Sequence, residues 1–215
     1  MSSGTRHLII DTASEALSVA LFEDGTLIGH HHEIAGRGHA EKLIPAIATL
    51  PDGGRAQYIW VDAGPGSFTG IRVGLAAARA LAFAWGADLK SFSSLTLLAA
   101  QARHDGETDD VIPIAITGGH GELFWQQFDR ESLAPLAPPA SVPIAELAAM
   151  ADAPSIYGTG AQALVSARGS GEARLLYPDA RAALLLPNAA LSEGATASYG
   201  RGADAALPAT AMGGA

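Results

Sequence analysis

The chain contains no cysteine. That excludes disulfides, thiolate nucleophiles and Cys-ligated metal centres outright. Basic residues are scarce: 13 Lys and Arg stand against 22 Asp and Glu, for a formal net charge of -9 over 215 residues. No cationic run stands out, so the clustered charge that grips phosphate backbones is missing. No uncharged apolar run reaches the roughly 18 residues that cross a bilayer. The longest candidate, residues 73–89, is interrupted by Arg79. The opening Met1-Ser2-Ser3-Gly4-Thr5-Arg6-His7 has no signal-peptide core. These absences together predict a cytoplasmic protein without a membrane segment.

What is present is a chain 48% hydrophobic, long enough to bury a sizeable core as one compact domain or two small lobes. Residues 8–11, 17–23 and 26–33 read as consecutive strands, with an Asp24-Gly25 hairpin signal between the last two. A helix follows from His39, interrupted in pattern by Pro45. Then come a strand at 58–62, a long helix from Ser67 to Gly86, a strand at 89–92 and a helix capped by Ser93 or Ser94. The polar, acidic stretch 104–110 marks a boundary. Beyond it, 111–116, 123–129 and 155–158 read as strands, 144–150 and 161–167 as short helices, and 135–143 as an extended proline-rich crossing. The order βββαβαβα followed by ββαβα predicts two related α/β lobes, residues 1–103 and a smaller 104–215 with a loose tail from Ala203.

The stretch Asp62-Ala63-Gly64-Pro65-Gly66-Ser67-Phe68-Thr69-Gly70 looks like a phosphate loop and fails each test for one. A Walker loop needs Lys-Ser/Thr where Ile71-Arg72 stand. A dinucleotide fingerprint needs a third glycine where Thr69 stands, and a nucleophile elbow needs glycines where Pro65 and Thr69 flank Ser67. A Pro/Gly turn capped by Ser67 or Thr69 is the simpler reading. Asp11, followed by Thr12-Ala13-Ser14-Glu15, offers an acid and hydroxyls for a Mg-nucleotide, or a turn acid bonding its own backbone. His30, His31 and His32 alternate faces of a strand, and no helical His pair exists to hold a metal. His39 reads as a surface residue at a helix start, and His120 as a turn residue.

Gly70, Gly74 and Ala78 recur every four residues and leave a bare strip along one helix face. Glycine in a helix interior costs about 1 kcal/mol relative to alanine, so the strip predicts close approach of another element. A partner helix, within the fold or in a second chain, fits that spacing. Arg72 and Arg79, seven apart, share a face that could meet acidic groups.

Three ordered motifs resemble the bacterial TsaB (YeaZ) family. They are Leu8-Ile9-Ile10-Asp11-Thr12-Ala13-Ser14-Glu15 with the strand after it, Gly36-Arg37-Gly38-His39-Ala40-Glu41-Lys42-Leu43-Ile44-Pro45, and Gly64-Pro65-Gly66-Ser67-Phe68-Thr69-Gly70-Ile71-Arg72-Val73-Gly74-Leu75. Tyr157-Gly158, Tyr199-Gly200-Arg201 and Pro208 are reminiscent of later motifs, whereas Thr117-Gly118-Gly119-His120-Gly121-Glu122 departs from the family's usual turn. The resemblance implies an α/β, actin/Hsp70-like (ASKHA) two-lobe fold with a reduced second lobe. It implies a non-catalytic subunit in threonylcarbamoyladenosine modification of tRNA, despite the family's M22 glycoprotease filing. The implied partners are a TsaD-type catalytic subunit, which it binds and activates, and a TsaE-type ATPase, with a homodimer when alone and tRNA met only through the complex. No catalytic residue, metal or cofactor is expected on this chain, ATP and metal lying on the partners. Carried over, the family's dimer contact falls on His39, Glu41 and Leu43 of one helix and Ser67, Phe68, Gly70, Ile71, Arg72, Gly74 and Ala78 of the next. An ATP-dependent small-molecule kinase or ATPase of the same fold, using Asp11 and Thr12, is the alternative.

Overall fold

The computed structural model describes residues 4–198. The tail from Ala203, Tyr199-Gly200-Arg201 and Pro208 lie outside them. Strands β1 (Arg6–Asp11), β2 (Ala16–Glu23) and β3 (Thr26–Ile34) form an antiparallel meander, turned at Asp24-Gly25 with both residues at positive φ. Helix α1 (His39–Ala48) leads to β4 (Tyr58–Asp62), and α2 (Phe68–Trp85) leads to β5 (Asp88–Phe92); β4 joins the sheet in parallel beside β1, and β5 in parallel beside β4. Helix α3 (Ser94–His104) then crosses to the second lobe.

There β6 (Val111–Thr117), β7 (Glu122–Asp129) and β8 (Ala140–Pro143) repeat the meander. Helix α4 (Ile144–Met150), β9 (Ser155–Tyr157), α5 (Ala161–Arg168) and β10 (Glu172–Arg174) follow, with β9 and β10 parallel. The two sheets therefore share one plan: β3-β2-β1-β4-β5 in the first and β8-β7-β6-β9-β10 in the second. The repeat is one of topology, and it is the actin/Hsp70-like arrangement, with a second lobe whose outer strands are only three or four residues long. A last strand, β11 (Ser192–Glu193), returns to pair with β5 of the first sheet.

Strand alternation divides the core into layers. Leu8, Ile10, Leu17, Val19 and Leu21 face α1 and α2. Ile9, Ala20 and Phe22 face the opposite way, toward α3 and a 3-10 turn at Ala180–Leu185. The second sheet closes on the same cluster through Ile112, Ile114, Phe124 and Phe128, so α3 lies between the lobes. This explains why α3 is buried on nearly every side and has little polar face to show solvent.

Candidate functional site

Asp11 and Asp62 end adjoining parallel strands, each one residue past the paired Ile10 and Val61. Both are fully buried. Asp62 accepts hydrogen bonds from the Gly64 N–H at 2.7 Å and from the Ser94 hydroxyl at 2.5 Å. One oxygen of Asp11 accepts from the Ala13 N–H at 3.1 Å, the backbone bond of an Asx turn, and the other has no hydrogen-bond partner. Burial, reinforced by the charge of Asp62, pushes the Asp11 carboxyl well above its ordinary value of 3.8. Burial also raises Asp62, against the pull of its hydrogen bonds.

Because the folded chain holds these protons more tightly than the unfolded chain, their stabilisation is complete below the ordinary carboxylate range. It is lost as pH rises from there through the raised value. Asp11→Asn keeps the acceptor for Ala13 and adds a donor, so at pH 8 it should be more stable than the parent by about 1–3 kcal/mol. Urea unfolding across pH checks this; parallel stability profiles for the two proteins would contradict it.

Asp11 and Thr12, offered by the sequence as a possible nucleotide site, are both buried, and the Thr12 hydroxyl donates to the Gly70 carbonyl at 2.7 Å; the residues that follow them, Ala13, Ser14 and Glu15, line the interlobe cleft. The Ser67 N–H donates to the Ala13 carbonyl at 2.6 Å, so the start of α2 sits directly on the β1–β2 turn. Ser67 is the cap expected, its hydroxyl accepting from the Gly70 N–H at 3.2 Å.

The bare strip is also placed differently from the sequence expectation. A Cβ on Gly70 would lie 1.9 Å from the Thr12 carbonyl oxygen, and one on Gly74 would lie 2.5 Å from the Thr12 hydroxyl. Gly70, Gly74, Ala78 and Ile71 therefore pack on their own sheet and are buried from any partner. Four-residue spacing reports a close approach without saying what approaches. Leu43 is likewise core, and His39 is buried, its Nε2 3.2 Å from the Ala16 carbonyl. Anchoring the first turn of α1 to β2 is what takes His39 off the surface.

The outward face of α2 runs through Phe68, Arg72, Ala76, Arg79 and Phe83, a helical stripe of three- and four-residue steps. Phe83 is 92% exposed and Phe68 54%; on neighbouring α1, Ile44 is 51% exposed. The Arg72 guanidinium lies 3.6 Å from the centre of the Phe68 ring. Arg79 does not reach for an acid but donates to the Ala195 carbonyl. Glu41 and Ser67 are exposed on the same two helices. Sequence reading did not single out the exposure of Phe83 or Ile44; for Phe83 the aromatic ends of the 68–72–76–79–83 stripe were the available signal.

Between the lobes lies an open cleft of about 760 Å³. Ser14 and Glu15 border it from the first lobe, and Thr117 and His120 from the second. His120 sits in the β6–β7 turn at φ 60°, the turn residue expected. Among the described residues no group of three His, Cys, Asp or Glu is placed to hold a metal ion. His31 lies near Glu33 and His32 near Asp179.

A family model described as TsaD, tRNA N6-adenosine threonylcarbamoyltransferase, matches residues 25–173. The TsaB protein of Escherichia coli strain K12 is 35% identical over 132 residues, 59% of this chain and 56% of that protein. Its Haemophilus influenzae counterpart is 38% identical over 133 residues, 59% and 55% of the two chains. The chain belongs to the TsaD family, in its TsaB (YeaZ) branch. The match spans little more than half the length of those curated relatives. A solved structure, YeaZ from Pseudomonas aeruginosa, superposes with a TM-score of 0.71 at 27% identity, covering 84% of this chain and 89% of that one. In this TsaB-branch chain the motif residues divide between two tasks. Asp11, Thr12, Gly70 and Gly74 build the joint between α2 and the sheet, whereas Glu41, Ser67, Phe68 and Arg72 face outward.

Proposed function

We propose that this chain serves threonylcarbamoyladenosine modification of tRNA as a docking subunit. It binds a TsaD-type catalytic subunit through the outward faces of α1 and α2 and performs no bond chemistry itself. The observation that carries this reading is the exposure of Phe68 and Phe83 on α2 and of Ile44 on the neighbouring α1, helices whose inner faces are buried in the fold. Large exposed apolar side chains on two adjacent helices, interspersed with Arg72 and Arg79, fit contact with another protein. The names of the TsaB relatives supply the pathway, and the sealed Asp11 supports a non-catalytic part in it.

On this reading the first lobe carries the docking helices; of the expected division at 1–103 and 104–215, the smaller lobe is built by the strands and helices from β6 to β10, and the chain after Arg174 returns to the first lobe. The pair of subunits offers a surface to a TsaE-type ATPase, ATP and metal lie on the partners, and tRNA is met only through the complex. Alone, the chain pairs with a second copy through the same face.

Reconstitution of threonylcarbamoyladenosine formation on unmodified tRNA with the partner proteins and ATP tests the assignment. Modification should require this chain and should stay within about twofold of the parent for Asp11→Asn, since the residue is structural. Turnover by the partners without this chain, or its abolition by a folded Asp11→Asn protein, would overturn the reading.

A further inference from the structure

Residues 175–198 leave β10 at the outer edge of the second lobe and run back across the first. They are anchored at each step. Gln101 of α3 donates to the Tyr177 carbonyl and accepts from the Asp179 N–H, both at 3.1 Å. The Ser18 hydroxyl on β2 accepts from the Ala180 N–H at 2.9 Å and donates to the Asp179 carboxylate at 3.4 Å. Ala180, Ala183 and Leu186 are buried against Ile9, Ala20 and α3. Ser192 then pairs with Ser91 on β5, the Gly194 N–H donates to the Leu89 carbonyl at 2.9 Å, and Arg79 holds the Ala195 carbonyl. Finally the Ser198 N–H donates to the Ala63 carbonyl at 2.7 Å, at the turn that starts α2.

The other crossing between lobes, after α3, is tied as well. Glu107 accepts from the Thr108 and Asp109 N–H groups at 2.6 and 2.7 Å and from the Tyr157 hydroxyl. A two-lobed fold with a cleft of this size would ordinarily close by hinging at its crossings, where a few residues absorb the rotation. Here one crossing is bonded to the second lobe, and the returning segment is fastened along the first lobe from β2 to β5.

We propose that residues 175–198 act as a strap that fixes the angle between the lobes, so that the cleft does not open and close and the chain works as a rigid body. The strap's last bonds, to Arg79 on α2 and to Ala63, fasten its far end to the middle of α2 and to the turn that starts it. This inference stands whether or not α1 and α2 dock a partner.

The absence of native cysteine allows a clean distance measurement. Ala48→Cys on α1 and Ala163→Cys on α5 are exposed positions, one in each lobe. Spin labels there, diluted with unlabelled chain, report the interlobe distance by pulsed electron resonance. A single narrow distribution is expected, unchanged by Mg-ATP. Adding Ser18→Ala and Arg79→Ala, which removes an anchor at each end, should broaden it about twofold while the far-ultraviolet dichroism is retained. A broad or two-peaked distribution in the parent would overturn the proposal, as would an unchanged width in the folded variant. Should that variant fail to fold, Gln101→Ala removes only the first anchor and decides by the same criterion.

Discussion

Gly70→Ala is expected to destabilise the chain by about 3–4 kcal/mol, the upper end of overpacking costs. The added Cβ would meet the Thr12 carbonyl oxygen at 1.9 Å, and backbone cannot swing aside as a side chain can. To relieve the overlap, the first turn of α2 must lift from the β1–β2 turn. That breaks the bond from the Thr12 hydroxyl to the Gly70 carbonyl and the bond from the Ser67 N–H to the Ala13 carbonyl. Gly74→Leu should do similar damage, because its Cβ would meet the Thr12 hydroxyl with Val61 and Ile10 close behind. In a chain of this size the loss corresponds to a fall in Tm of roughly 10 °C. Ala76→Leu, on the exposed side of the same helix, should change Tm by no more than about 2 °C. Calorimetry of the three variants checks the orientation of α2. Gly74→Leu as stable as the parent would mean that the strip does not lie on the sheet.

Phe83→Asp should have the opposite profile. A phenylalanine 92% exposed contributes little to the folded chain, so Tm should stay within about 2 °C. If Phe83 is buried by a partner, a carboxylate there replaces an aromatic anchor with a charge to be desolvated. The expected loss is about 2–4 kcal/mol of binding, roughly 30- to 700-fold in Kd. Ile44→Asp should act in the same direction through α1. Titration calorimetry against a TsaD-type partner measures both, and unchanged affinity for both folded variants would remove the face from the account.

The contrast between these variants shows how much of the molecule was legible in its residues. The strand meander, the cap at Ser67 and both central helices follow from alternation, Asp-Gly and Ser signals that act over a few residues, so local chemistry sufficed. Strand β11 has two residues, and its pairing with β5 is created by the chain's return to a distant edge rather than by composition. Nothing within Ser192-Glu193 announces that. The orientation of α2 was legible in a different sense. Its glycine strip announced a tight contact, but periodicity carries no information about which neighbour supplies it, and the sheet behind Thr12 is the nearer one. The same limit applied to His39, whose burial depends on the Ala16 carbonyl from a strand more than twenty residues earlier. Asp11 could be read as a ligand or as a turn acid. The buried neighbour Asp62, whose charge adds to the effect of burial on Asp11, comes from another strand and becomes adjacent only through the β1–β4 register.

The docking account is tested most directly by light-scattering mass on the purified chain, alone and mixed with a TsaD-type partner, for the parent and Phe83→Asp. The parent should be a dimer that exchanges into a one-to-one heterodimer, and the folded Phe83→Asp protein should be a monomer that forms neither. A parent that stays monomeric beside the partner, or a Phe83→Asp protein that assembles as the parent does, would contradict it.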